Sequence, residues 1–237
     1  MNAGVPRLLA IDTATEACSA ALRNGDALLE RYEEVGRGHA ERILVMVDSL
    51  LTEAAVTLQQ LDAIAVGRGP GAFTGVRLAI SVAQGLAFGA GRPVVPVSDL
   101  RAIAQRAFEL RPKAQTCLVC SDARMREVYS ARFRRDATGL AVATGGETGG
   151  GPDTVDWRGL EASAGATVCA GRGFRVYGAL GERAAALGLE VLDDLLPSAA
   201  AIARLALADL GQGLAVPATA VVPVYLRERV AEPPSRN

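Results

Sequence analysis

Leu8-Leu-Ala-Ile-Asp-Thr-Ala-Thr-Glu-Ala-Cys-Ser-Ala-Ala-Leu-Arg-Asn-Gly25 reads as the opening of a sheet. Leu8 to Leu22 makes two strands about a short turn at Thr13 to Glu16, and Asn24-Gly25 is the strongest short hairpin signal a sequence offers. A third strand, Ala27 to Tyr32, completes an antiparallel meander. Beyond Gly36 and Gly38, Ala40 to Leu51 sets Ile43, Leu44, Val47, Leu50 and Leu51 at helical spacing, with Glu41, Arg42, Asp48 and Ser49 off that stripe. Thr57-Leu-Gln-Gln60 has capping-box spacing for one short turn, and Ala63 to Val66 is a buried strand entering the loop Gly67 to Gly71. A helix over Thr74 to Phe88, a strand over Val94 to Val97, and a helix capped by Ser98 and running to Leu110 before Pro112 follow.

The pattern then restarts. Strands at Cys117 to Ser121 and Val128 to Phe133 flank a charged turn, Asp122 to Arg126. Asp136 to Thr154 is rich in Gly, Ala and Thr, which predicts a mobile excursion without packed elements. A strand at Thr167 to Ala170 and helical stretches at about Arg175 to Leu187 and Ser198 to Leu210 end the chain's second unit. Two units in which hairpins precede helices predict an α/β fold of two similar lobes, residues 1–105 and 106–237.

Composition bounds the function. Half of the 237 residues are hydrophobic but only 4% are aromatic, so Ala, Val, Leu and Ile must fill the core. A formal net charge of -1 leaves no broad basic surface to hold nucleic acid unaided. Met1 to Arg7 has no signal-peptide core and no apolar run approaches the roughly 20 residues of a bilayer span, so a cytoplasmic protein with no membrane contact is expected. Cys117-x-x-Cys120 has the spacing of a metal or redox pair. In a strand, however, residues three apart point to opposite faces, so buried core thiols are expected there and no metal site.

Gly67-Arg-Gly-Pro-Gly-Ala-Phe-Thr-Gly75 joins a buried strand to a helix N-terminus, and such a loop can hold an anion on its free N–H groups. It is not a P-loop, since no Lys-Ser or Lys-Thr follows, and its Gly67-x-Gly69-x-x-Ala72 is a weak dinucleotide match. The same glycines equally suit close approach of two chains. Asp12 and Thr13, at the end of the first strand, with Gly69 and Gly71, are the candidate contacts to a phosphate or its magnesium ion; turn capping is the alternative for Asp12. Gly75, Ala79, Ala83 and Ala87 form a smooth stripe that faces either the protein's own core or a partner helix. His39, the one histidine, supports neither a two-histidine metal site nor a Ser-His pair, and its expected role is a hydrogen bond to a turn.

Taken together, Leu9-Ala-Ile-Asp-Thr-Ala-Thr-Glu-Ala-Cys-Ser-Ala-Ala-Leu22, Gly69-Pro-Gly-Ala-Phe-Thr-Gly-Val-Arg77 and Pro223-Val-Tyr-Leu-Arg227 resemble the TsaB (YeaZ) family of tRNA threonylcarbamoyladenosine biosynthesis proteins. His39-Ala-Glu-Arg, Leu61-Asp-Ala-Ile-Ala-Val66, Asp122-Ala-Arg124, Glu127-Val-Tyr129 and Pro197 support the match, while residues from about 136 to 165 contribute nothing. The resemblance implies a two-lobed actin-like ATPase fold of the sugar kinase, Hsp70 and actin class. It implies a non-catalytic cytoplasmic subunit without metal or cofactor of its own, though a nucleotide at the partner interface is compatible with it. Its partners would be a TsaD-like transferase acting on adenosine 37 of tRNAs that read codons beginning with A, and a TsaE-like ATPase. In isolation it would form a homodimer, and it would touch tRNA only indirectly. Pairing through the two N-terminal helices assigns Ile43, Val47 and Leu50, with Gly75, Ala79, Ala83 and Ala87, to the partner-facing side. A small actin-fold ATPase or phosphotransferase using Asp12 and the glycine loop is the other class of function the residues allow.

Overall fold

The computed structural model describes residues 5–160 and 166–226. The opening meander forms as expected: β1 (Leu8–Asp12), β2 (Ala17–Asn24) and β3 (Ala27–Glu34) are antiparallel neighbours. Asn24 faces Ala27 across a Gly25-Asp26 loop, and Gly25 takes the left-handed φ of 62° that this tight turn demands. Helix α1 (His39–Glu53) returns over the sheet, a 3-10 turn at Leu58–Gln60 carries the predicted Thr57/Gln60 capping box, and β4 (Ala63–Gly67) pairs parallel to β1. Helix α2 (Phe73–Ala90) and β5 (Val94–Val97) close the first sheet in the order β3-β2-β1-β4-β5.

Helix α3 (Asp99–Leu110), capped by Ser98 accepting from the Arg101 N–H, crosses to the second sheet. That sheet holds β6 (Thr116–Asp122), β7 (Val128–Arg135), β8 (Ala141–Ala143), β10 (Thr167–Ala170) and β11 (Glu190–Leu192) in the order β11-β10-β6-β7-β8, with β9 (Thr148–Gly150) pairing β7. Strand for strand this repeats the first sheet, so the two-lobed actin-like plan is a duplication in topology. The excursion from 136 to 154 is ordered rather than free: β8 and β9 add to the β7 edge, and Ala141 is fully buried. Its small residues hid short strands that pairing with β7 and bonds from Arg101 and Gln105 to Ala141 hold in place. Helices α4 (Gly173–Val176) and α5 (Gly178–Ala186) replace the single helix expected there, and α6 (Ala199–Gly211) ends the unit.

The layers run α1/α2, first sheet, α3/α6, second sheet, α4/α5. Leu8, Ala10, Val95 and Val97 meet Leu100, Ile103, Phe108, Ile202, Leu205, Cys117, Val119 and Phe133 in one continuous central core. Helix α6 packs on the first sheet and α3 on the second. The expected boundary at residue 105 falls inside α3; the chain leaves its first sheet at Ser98, and the two units share their inner layer. Cys117 points into the central core and Cys120 into the outer core of the second sheet, opposite faces as strand geometry requires, and all four thiols are buried and free. Burial pushes the Cys169 thiol up to about 12 and Cys18 up to about 11. By length and composition α2 is apolar enough to cross a membrane, yet Val76, Ala79, Ile80, Ala83 and Ala87 lie buried on the first sheet.

Candidate functional site

The turn after β1 and the glycine loop after β4 meet because parallel β1 and β4 end at the same edge of the sheet. Backbone bonds sew them together: Ala72 N–H donates to Ala14 O at 2.7 Å, and Thr13 Oγ1 donates to Gly75 O at 2.7 Å. The glycines make that approach possible. A Cβ on Gly71 would sit 2.5 Å from Ala14 O, and one on Gly75 would sit 2.1 Å from Thr13 O. Gly69, at a left-handed φ of 94°, precedes a cis bond to Pro70. Asp12, Thr13, Gly69 and Gly71 are thus brought together, with Asp12 turned inward and Thr13 and Gly71 at the wall of a cavity. Asp12 is fully buried, Thr13 is 1% exposed, and the Gly69 N–H donates to Asp99. The glycines of this loop thus permit a close approach of two chain segments.

The predicted partner-facing stripe needs correction. Ile43, Val47 and Leu50 on α1, and Ala79, Ala83 and Ala87 on α2, are all buried in the core between these helices and their own sheet. Gly75 abuts the Thr13 backbone and is half-buried at the cavity wall. A helix lying on a sheet must bury one stripe, and that stripe was taken by the protein itself. The outward side carries Leu44 (51% exposed), Val45 (67%) and Phe88 (83%), flanked on α2 by exposed Ser81, Gly85 and Gly89. Ser81, Gly85 and Gly89 repeat the four-residue spacing of small residues on the opposite face of the helix, and a Cβ on Gly85 or Gly89 would meet open space. The signal for this face was the apolar pair Leu44-Val45, of which Val45 falls outside any single buried stripe.

The α2 start also carries a stacked cluster. The Arg77 guanidinium lies 3.4 Å above the Phe73 ring, whose centroid is 5.7 Å from that of Tyr225. Tyr225 belongs to the Pro223–Leu226 segment of the sequence motif, which runs over the glycine loop with Val224 N–H donating to Arg68 O at 2.9 Å. Arg227, the last residue of that motif, lies outside the described residues, as do the first four residues of the chain.

Between the two sheets opens a cavity of about 680 Å³ lined by Thr15, His39, Thr74, Asp122, Arg124 and Arg172, among others. His39 holds the β1–β2 turn as expected, its Nε2 3.0 Å from Thr15 O. Ion pairs cross the mouth: Arg124 meets Glu16, and Arg172 meets Glu34 at 2.6 Å and Glu16 at 3.9 Å. The tip that supplies Arg124 is conformationally costly, with Arg124, Met125 and Arg126 all at positive φ of 52° to 63°. Among the described residues no group of three or more His, Cys, Asp or Glu side chains is arranged to hold a metal ion.

Comparison with known proteins places this geometry. A TsaD family model, described as tRNA N6-adenosine threonylcarbamoyltransferase, matches residues 32–148. The chain is 41% identical over 227 residues to the tRNA threonylcarbamoyladenosine biosynthesis protein TsaB of Escherichia coli (strain K12), covering 95% of this chain and 96% of that one. It is 50% identical over 129 residues to TsaB of Haemophilus influenzae, covering 54% of each. Among solved structures, YeaZ from Pseudomonas aeruginosa superimposes with a TM-score of 0.83 at 41% identity over 93% of this chain and 100% of that one. A second Pseudomonas aeruginosa structure, an uncharacterized protein with similarity to peptidase YEAZ, gives 0.85 at 43% identity over 94% and 100%.

Proposed function

Since the chain belongs to the TsaB (YeaZ) family of tRNA threonylcarbamoyladenosine biosynthesis proteins, we propose that it serves this modification as a non-catalytic cytoplasmic subunit that binds and activates a TsaD-like transferase. The observation that carries the reading is the outward side of α1 and α2. Leu44 and Val45 on α1, and Phe88 with the small Ser81, Gly85 and Gly89 on α2, stand in solvent on two helices that cover the same face of the first sheet. Large exposed apolar side chains beside small ones suit helix-on-helix docking, in which a partner's ridge enters the groove. The match of residues 32–148 to a TsaD model is consistent with a pair of related folds meeting through equivalent helices. The same face serves self-pairing when the partner is absent, and the pair recruits a TsaE-like ATPase. The transferase modifies adenosine 37 of tRNAs reading codons that begin with A, and this chain touches tRNA only through it.

Co-purification with the organism's TsaD-like protein, followed by an assay of threonylcarbamoyl transfer to tRNA, tests this. Val45→Asp and Phe88→Glu change exposed atoms only, so each should leave the melting temperature within a few degrees while weakening association by roughly a hundredfold and abolishing stimulation. Ala83→Arg would mislead here, since that side chain is buried and the variant should unfold the lobe. Normal association of both surface variants would place the interface elsewhere. Magnesium-dependent ATP turnover by the isolated chain, lost in Asp12→Ala, would favour a small ATPase instead.

A further inference from the structure

Two acids are sealed in the first lobe without a counter-charge. Asp12 ends β1 and Asp99 opens α3, at 0% and 1% exposure. Each satisfies one carboxyl oxygen on backbone: Ala14 N–H donates to Asp12 Oδ1 at 2.9 Å, and Gly69 N–H donates to Asp99 Oδ2 at 2.5 Å. The remaining oxygens, Asp12 Oδ2 and Asp99 Oδ1, are buried and accept from nothing. The two carboxyl groups converge on one point beside Gly67. Both crowd Gly67, where a Cβ would come 2.4 Å from Asp99 Oδ1 and 2.7 Å from Asp12 Oδ1.

Two carboxylates ionised at this separation, away from water, would repel strongly, and each would keep an oxygen with no donor. One shared proton removes the repulsion, making one acid a donor and the other its charged acceptor. The other titratable or charged groups that face the pair are few. They are Arg68 on the glycine loop, which extends to Glu147 at 3.3 Å, His39 at the start of α1, whose ring is bonded to Thr15 O, and the buried Cys18 thiol on β2. None makes a hydrogen bond or ion pair to either acid. Neither acid lines the cavity between the lobes.

We infer that Asp12 and Asp99 hold one proton between them in an O–H···O bond, and that this bond clasps the β1–β2 turn to the glycine loop where α2 begins. The aspartate that sequence offers as a phosphate contact is thereby turned into a structural acid. Burial raises both acids above the ordinary carboxylate range, Asp99 the more because Asp12 also repels its charge. A carboxyl whose folded-state value exceeds its unfolded value of about 3.9 gives its full contribution below that value. The contribution then falls as pH rises toward the folded value, so the clasp is weakened by alkali.

Urea unfolding of the full chain at a series of pH values from about 5 to 9, in wild type, Asp12→Asn and Asp99→Asn, tests the shared proton. One proton bound in the folded but not the unfolded state changes the folding equilibrium by about tenfold per pH unit. Asn at 99 keeps an oxygen for the Gly69 N–H and offers an amide N–H where the proton sits, so it should remove that tenfold dependence and match or exceed wild-type stability at the alkaline end. Infrared spectra at neutral pH should show the C=O stretch of a protonated carboxylic acid in wild type, lost in either Asn variant. A pH slope that Asp99→Asn leaves unchanged, or a wild-type spectrum without that band, overturns the inference. If one Asn variant does not fold, the other and the wild-type band still decide it.

Discussion

The two lobes repeat one topology and handle the same turn in opposite ways. In each, the first strand ends on an aspartate, Asp12 or Asp122, and the strand paired parallel to it leads into a glycine at strongly positive φ, Gly69 at 94° or Gly171 at 105°. In each, a later glycine presses on backbone at the end of the first strand or just past it: Gly173 on Cys120 O within β6, Gly71 on Ala14 O in the turn after β1. The mechanics of close approach are therefore common to both. The acids differ. Asp12 is sealed against Asp99, whereas Asp122 borders the cavity, accepting from Tyr177 Oη and from the Arg124 N–H, both at 2.9 Å. Helix coverage differs too, since α1 lies between β3 and β4 while the described residues between β8 and β10 hold β9 and one 3-10 turn, Pro152–Thr154. A duplicated frame thus fixes where turns and glycines go, and leaves each lobe free to bury or expose what they carry.

The largest effects should come from the shared mechanics. A methyl on Gly75 or Gly71 has backbone at 2.1 or 2.5 Å, and one on Gly173 has backbone at 2.7 Å, so none can be relieved by a rotamer change. Gly75→Ala, Gly71→Ala and Gly173→Ala should each destabilise by about 3 kcal/mol or more, with Gly75→Ala worst, measured by urea denaturation. Equal losses in both lobes would confirm that the close approach is general. Tolerance of Gly173→Ala alone would confine the rule to the first lobe.

A middle-sized effect separates the acids. Asp122→Ala removes the acceptor of Tyr177 and Arg124 in a half-exposed setting and should cost about 1–2 kcal/mol. It should do so without altering the dependence of stability on pH between about 5 and 9 that is expected of the Asp12 and Asp99 pair. If Asp122→Ala flattens that dependence, the contrast between the lobes fails.

Sequence carried the frame further than the site. Strand alternation, the Asn24-Gly25 hairpin, the Thr57/Gln60 capping box and the Ser98 cap each placed an element within a residue or two, because those signals act locally. The short β8, β9 and β11 went unread because three residues carry no period. Two stripes of small residues wind around α2, and spacing says only that each is smooth. Which of them faces the sheet depends on the helix's rotation, set by Val76 and Ile80 packing with β1 and β4. That Asp99 neighbours Asp12 was not legible, since their meeting requires β1, β4 and β5 to be ordered first.

A smaller effect tests Tyr177. Burial together with its bond to Asp122 pushes its phenol up to about 12. A phenol held neutral in the fold gives its full contribution below its unfolded value of about 10 and loses it as pH rises through about 12. An ultraviolet absorbance titration should show a late-ionising tyrosine that Tyr177→Phe removes, at a cost in stability near 1 kcal/mol at neutral pH.

The smallest effect sharpens the distinction between the two sides of α2. Gly85 lies mid-helix with nothing within 4 Å of a new Cβ, in contrast to Gly75 ten residues earlier on the same helix. Alanine relieves the entropy that glycine loses on folding, so Gly85→Ala should stabilise the isolated chain by about 0.5–1 kcal/mol. The same methyl would stand in the groove where the proposed partner helix lies. Gly85→Ala should therefore raise the melting temperature while weakening association with the TsaD-like partner by a few fold. Stabilisation without any loss of association would mean that the partner's helix does not approach α2 along Ser81, Gly85 and Gly89, and would shift the contact toward Leu44 and Val45 on α1.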